Sequence, residues 1–215
     1  MVWFETSALV LIAYLLGSIP TAVWIGKWFY RIDIREHGSG NAGATNTVRI
    51  LGYKAGIPVM LFDVFKGWLA VSLAGWISLS EAGHDGVIII KIACAVAAVV
   101  GHIFPVFAGF RGGKGVGTLA GVGIALYPLA LLIVLAVFIL VLAVSRYVSL
   151  ASILAAVSFP LAAFFITGEK HPALLILAVL VAIFVPLTHR NNIRRLLRGE
   201  ENKFLFRRKK VEKDG

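Results

Sequence analysis

The chain has 215 residues, 59% of them hydrophobic and only 15% charged, with a mean hydropathy of +0.89; this excludes an ordinary soluble domain and points to an integral membrane protein. The formal net charge is +10, but the cations sit in short connections and a tail beside apolar runs, which suits an anionic membrane surface and argues against nucleic acid. The single cysteine, Cys94, lies in an apolar run, so there is no disulfide framework and no cysteine-based metal site, and it reads as a small buried filler.

The opening "MVWFETSALVLIAYLLGSIP" lacks the basic start and the clear cleavage site of a signal peptide and is expected to remain as a first span. A hydrocarbon core of about 30 Å needs about 20 apolar residues, and 3–26, 57–80, 88–109, 148–167 and 172–188 each approximate that. The stretch 116–144 is long for one span and contains Pro128, which lacks the N–H of a continuous helix. Charge separates one tilted helix from two spans. The connection after the first span carries Lys27, Arg31, Arg35, Arg49 and Lys54, whereas the turn from Glu81 to Gly86 has acids and no Lys or Arg; the first is expected in the cytoplasm and the second outside. Arg146 and the tail also fall in the cytoplasm only if 116–144 is two spans, broken near Tyr127 and Pro128. The expected fold is an all-α polytopic membrane protein of about seven helices, N-terminus outside and C-terminus cytoplasmic. Its fourth helix is short or partly interfacial. Residues 1–201 form a single domain, and 202–215, with "RRKK" at 207–210, a basic cytoplasmic tail that touches lipid headgroups.

The polar chemistry gathers on that cytoplasmic side. In "DIREHGSGNAGATNTVR", residues 33–49, Gly38, Gly40 and Gly43 permit close backbone approach, so Ser39, Asn41, Thr45 and Asn46 are candidates to hold an anion. In "FRGGKGVGT", residues 110–118, Gly112, Gly113 and Gly115 bare the backbone and Lys114 adds a mobile cation where a helix begins, which is the physics of phosphate binding. It is not Walker A, because positions 108 and 115 hold Ala and Gly instead of Gly and Ser or Thr. GGKG alone is equally well a flexible turn. Ser145 and Arg146 follow a long apolar run and aim a cation at the same region, or serve as an interfacial anchor. His189 and Asn192 share a helix face at i and i+3, amid arginines that read mainly as a lipid-contacting stripe. Asp63 and Lys66, also i and i+3 but at membrane depth, read as a mutually neutralising structural pair. His102 reads as a core or interface histidine, and no cluster has metal-ligand spacing.

In chain order, "GSIP" at 17–20, "GSGNAGATN" at 38–46, "GHIFPVFAGFRGGKGVGT" at 101–118 and "RNNIRRLLRGEE" at 190–201 together resemble the bacterial membrane acyl-phosphate:glycerol-3-phosphate acyltransferases, over nearly the whole chain. The resemblance implies transfer of a fatty acyl group from acyl phosphate to the sn-1 hydroxyl of glycerol 3-phosphate, giving lysophosphatidate and phosphate, at the cytoplasmic face of the inner membrane and without a cofactor. It implies active-site roles for Ser39 and Arg49, a phosphate loop of Gly112, Gly113, Lys114 and Gly115, roles for His189 and Asn192, and a mainly structural Glu200. Gly117 stands where the family pattern leads one to expect Ala. The expected partners are the two substrates and membrane lipids, with the chain acting as a monomer.

Two phosphorylated substrates need two anion holders. The glycine loop with Lys114 suits one, and Arg49, Arg146, His189 and Asn192 the other. Acyl phosphate is already activated, so the protein mainly positions it and stabilises developing charge. The hydroxyl proton goes to a donor phosphate oxygen, with Ser39 and Asn41 orienting the groups, or to His189 as base. The HxxxxD signature of acyl-CoA and carrier-protein acyltransferases is missing: five residues beyond the histidines stand Ala42, Ile89, Phe107, Ile176 and Arg194. A transporter would line several spans with polar residues at mid-depth, whereas here they collect at one face.

Overall fold

The computed structural model describes residues 2–76 and 79–204, and these are helical, with turns between. The helices are α1 (Val2–Gly17), α2 (Thr21–Tyr30), α3 (Ala44–Leu51), α4 (Tyr53–Leu73), α5 (Leu79–Ile103), α6 (Val116–Leu126), α7 (Pro128–Ser145), α8 (Val148–Leu161), α9 (Pro172–Thr188) and α10 (Arg190–Leu197). The first expected span is therefore two helices end to end. Pro20, immediately before α2, has no N–H to continue the ladder of α1. The break inside 116–144 falls at Tyr127, and Pro128 opens α7, where its missing N–H is harmless.

Among the described residues, five helical segments are long and apolar enough to cross a membrane, and α9 with α10, bent by 60°, makes a sixth if taken as one span. Helix α6 has 11 residues and so extends only about 16 Å, half of a hydrocarbon core.

One half of the bundle is built on small residues. At α4 and α6 a methyl group on Gly67 would overlap the Thr118 carbonyl, and one on Gly121 the Val64 carbonyl; the missing side chains let the two backbones touch, as in other membrane helix pairs. Helices α1, α4 and α5 enclose a core of Ala13, Ala70, Ala74, Cys94 and Ala98, so Cys94 is indeed filler. The other half, α7 to α9, closes on a cluster in which Tyr127, Phe159, Leu174 and Leu177 interleave with Ala130, Ala162, Ala163 and Ala178.

The chain does not leave the fold at 201. The Phe204 N–H donates to the Arg146 carbonyl at 2.6 Å, and the Lys203 ammonium sits 5.9 Å from the centre of the Tyr147 ring. The rest of the expected tail, from 205 and including "RRKK", lies outside the described residues.

Candidate active site

The first polar loop, between α2 and α3, is shaped from within. Arg35 holds Asp33 in a two-pronged contact, Nε to Oδ1 at 2.9 Å and a terminal nitrogen to Oδ2 at 2.7 Å. This pairing keeps the Asp33 carboxyl well below the usual carboxylate range. The other end of Arg35 donates to the Ala108 carbonyl at 2.7 Å, tying this loop to the glycine loop. Asn46 is almost fully buried. Its Oδ1 accepts from the Ser39 N–H at 2.9 Å and its Nδ2 donates to the carbonyls of Ile34 at 3.1 Å and His37 at 2.9 Å. Asn46 lines the cavity described below, but both ends of its amide are engaged within the loop, Oδ1 with Ser39 and Nδ2 with Ile34 and His37.

The glycine loop connects α5 to α6. The N–H of Gly112 donates to the Ile103 carbonyl at 3.0 Å and that of Gly113 to the His102 carbonyl at 3.1 Å. These N–H groups are thus engaged in folding the loop onto the end of α5, and neither residue lines the large cavity described below. Side chains are forbidden here for a packing reason: a methyl at Gly113 would run into the His102 ring. The substrate contacts expected of Gly112 and Gly113 are accordingly replaced by a shaping role. Gly115, at φ +81, does line the cavity and leads into α6.

Neither Gly43, before α3, nor Gly115, before α6, supplies a side-chain cap. The first N–H groups of both helices are left to the cavity, which Ala44, Thr45, Val116 and Gly117 line. Uncapped N-termini carry partial positive charge suited to anions.

The third element is the bend between α9 and α10. His189 Nδ1 lies 2.8 Å from the Val185 carbonyl; a carbonyl only accepts, so Nδ1 bears the proton and Nε2 the lone pair. Burial, reinforced by the Lys114 charge, lowers the His189 pKa to about 4, which leaves the ring neutral at pH 7. Asn192 accepts from the Lys114 ammonium and donates to Glu201 Oε1 at 2.7 Å. Glu201 also accepts from Ser149 at 2.8 Å and Arg195 at 2.7 Å. Burial lowers the Lys114 pKa to about 8, with Arg195 and Arg49 adding to the effect and Glu201 opposing it.

These groups surround one cavity of about 520 Å³. At one end stand Ser39, Asn41, Thr45, Arg49, Lys114, His189 and Asn192; at the other it runs between apolar faces of α6, α7, α8 and α9 to Tyr127 and Phe159. Met60, Ile124 and Leu135 also line it and are 47%, 44% and 47% exposed, so its wall opens sideways toward the membrane.

Ser145 and Arg146 do not line this cavity. The Ser145 hydroxyl donates back to the Val141 carbonyl at 2.7 Å and Arg146 is exposed, since α7 has ended and the chain has turned away. Glu200, expected to be structural, is likewise exposed, whereas Glu201 makes the side-chain contacts with Ser149, Asn192 and Arg195. The Asp63–Lys66 pair is present at 2.7 Å, almost fully buried, with His102 Nδ1 3.5 Å from the same carboxylate oxygen. Lys66 completes its bonding at the Ile19 carbonyl, 2.9 Å away. Among the described residues no group of His, Cys, Asp and Glu is placed to hold a metal ion.

A cavity cationic at one end and apolar at the other has the form suited to an anion that carries an apolar tail. The family model for glycerol-3-phosphate acyltransferase matches residues 7–199. Relatives with that name include one from Chlorobaculum tepidum, 43% identical with 94% of this chain and 97% of that one covered, and one from Streptococcus equi subsp. zooepidemicus, 47% identical over 90% of each. Solved structures of PlsY, an integral membrane glycerol 3-phosphate acyltransferase, superpose with TM-scores of 0.83 for a glycerol 3-phosphate form and 0.80 for a lysophosphatidic acid form, at 39% and 38% identity, covering 94% of this chain and 96% of each of those. The chain belongs to the glycerol-3-phosphate acyltransferase family. It is an integral membrane enzyme, an acyltransferase.

Proposed function

We propose that this acyltransferase takes its acyl group from an acyl phosphate and delivers it to the sn-1 hydroxyl of glycerol 3-phosphate, releasing lysophosphatidate and inorganic phosphate at the cytoplasmic face of the inner membrane. The observation that carries this reading is the single cavity whose cationic end adjoins a hydrocarbon trough. One substrate is a small anion that needs only the polar end. The other is an anion with a long apolar tail, which enters through the sideways opening and needs both ends.

The uncapped starts of α3 and α6, with Lys114 and Arg49, take the phosphates. Ser39, fixed by Asn46, and Asn41 orient the reacting groups. The glycerol hydroxyl oxygen attacks the acyl carbonyl carbon, the bond from that carbon to the phosphate oxygen breaks, and the hydroxyl proton passes to the departing phosphate. His189 offers Nε2 to the hydroxyl as an acceptor. A ring with a pKa of about 4 is too weak a base to hold the proton, and an imidazolium would face the Lys114 charge. The charge distribution supports about seven spans with N-terminus out and C-terminus in, α6 serving as a half-length fourth.

Purified protein should release phosphate from acyl phosphate only when glycerol 3-phosphate is present, with 1-acyl lysophosphatidate as the product. No release from folded protein would refute the donor assignment. The variant His189→Gln is expected to keep substantial turnover with an unshifted pH profile; collapse of turnover at unchanged affinity would instead make His189 the base.

A further inference from the structure

We infer that Phe159, braced by Tyr127, is the floor of the acyl trough and sets the longest chain the enzyme accepts well. The inference rests on the reading of that trough as the acyl site. Ser149, Ser152, Ala156 and Phe159 follow one another down a single face of α8 at intervals of three, four and three residues, and all line the cavity. Small residues at the first three leave a channel, and the fourth ends it. Ser149 marks the polar end through its 2.8 Å bond to Glu201. Ten helical residues separate it from Phe159, a drop of about 15 Å. An extended hydrocarbon of C–C bonds near 1.5 Å advances about 1.25 Å per carbon, so this drop takes roughly a dozen carbons.

The floor is firm. The Tyr127 and Phe159 rings meet edge to face with centroids 4.9 Å apart, and the Tyr127 hydroxyl donates to the Leu174 carbonyl of α9 at 2.7 Å. Ala162 and Ala163, the next turn beyond Phe159, are buried in the same cluster as the two rings and do not line the cavity, so the trough stops at Phe159 on the α8 side. Tyr127 occupies this place because the chain breaks there between α6 and α7. A hydrocarbon longer than the trough must buckle against the rings or leave through the sideways opening, and in an apolar pocket a misfit of one methylene already costs about tenfold or more in kcat/KM.

The experiment measures kcat/KM for a homologous series of saturated acyl phosphates. With Phe159→Ala the ratio of long-chain to short-chain kcat/KM should rise about tenfold. Ala156→Leu, which raises the floor by one turn, should lower the same ratio by a similar factor. Neither should move the KM for glycerol 3-phosphate. A wild-type-like profile in both folded variants overturns the floor assignment while leaving the acyl trough standing. A wild-type protein that is inactive with every acyl phosphate refutes the donor reading and this inference with it.

Discussion

Helices α4 and α6 meet backbone to backbone, with Gly67 and Gly121 at the contact, whereas α7 and α8 meet through side chains. Of the apolar window on α4, 39% is buried inside the protein; on α7 only 6% is. The first half of the bundle is fixed by contacts that admit no side chain, and it carries both polar loops. The second half carries most of the trough, and within it α7, unlike the span begun by α8 at 44% buried, leaves most of its surface to the membrane. On the proposed function, fixed geometry goes with the reacting atoms, and the wall that includes the exposed α7 goes with the hydrocarbon.

The largest expected effect comes from Lys114→Ala, which removes a cation from the fixed half without touching its packing. Turnover should fall by roughly a thousandfold while the circular-dichroism spectrum stays helical. A folded variant with near-normal turnover would move the chemistry elsewhere. Next is the packing itself. Gly121→Leu should destabilise the protein by about 3 kcal/mol or more, against about 0.5 kcal/mol or less for Leu132→Ala on the outer face of α7, where Leu132 is 63% exposed. Thermal unfolding in detergent compares the two, and equal losses would erase the contrast between the halves.

Smaller effects refine the boundary between them. Glu201→Gln weakens the charge-assisted bonds to Asn192 and Arg195 and should raise the KM for glycerol 3-phosphate about tenfold; Glu200→Gln should leave it unchanged. Lys114, with a pKa of about 8 in the free protein, loses its proton above that pH. Affinity for glycerol 3-phosphate should therefore weaken as pH rises through 8, and Lys114→Arg should remove that limb. The least effect concerns His189, whose pKa falls from 6.5 to about 4 on folding. The unfolded chain binds this proton first as pH drops, so the contribution to stability is full above 6.5 and is lost toward 4. Thermal unfolding of His189→Gln should show a flatter pH dependence in that window.

Hydropathy and charge made much of this legible from residues alone. Apolar runs located the long helices approximately, although the expected turn at 81–86 lies within α5, kinked at Gly83, and α3 and α10 lie outside those runs. Pro128 marked the break beside Tyr127, and the clustering of Gly, Ser and Asn marked the polar loops. What stayed hidden depended on where individual atoms point. Asn46 looks as available as Asn41 until its amide is seen to bridge Ser39, Ile34 and His37. Gly112 and Gly113 look like phosphate ligands until their N–H groups are followed to the end of α5. Glu200 and Glu201 are adjacent acids, and only the turn after α10 decides which one faces Asn192. Arg35 read simply as one more cytoplasmic cation; the carbonyl it reaches is 73 residues away, beyond any local pattern.

That arginine has a consequence for binding. Its guanidinium is shared between Asp33 in one loop and the Ala108 carbonyl in the other, so the two loops are parts of a single plate. On the proposed function, a change in either loop is expected to shift the affinities for both substrates, and reciprocally.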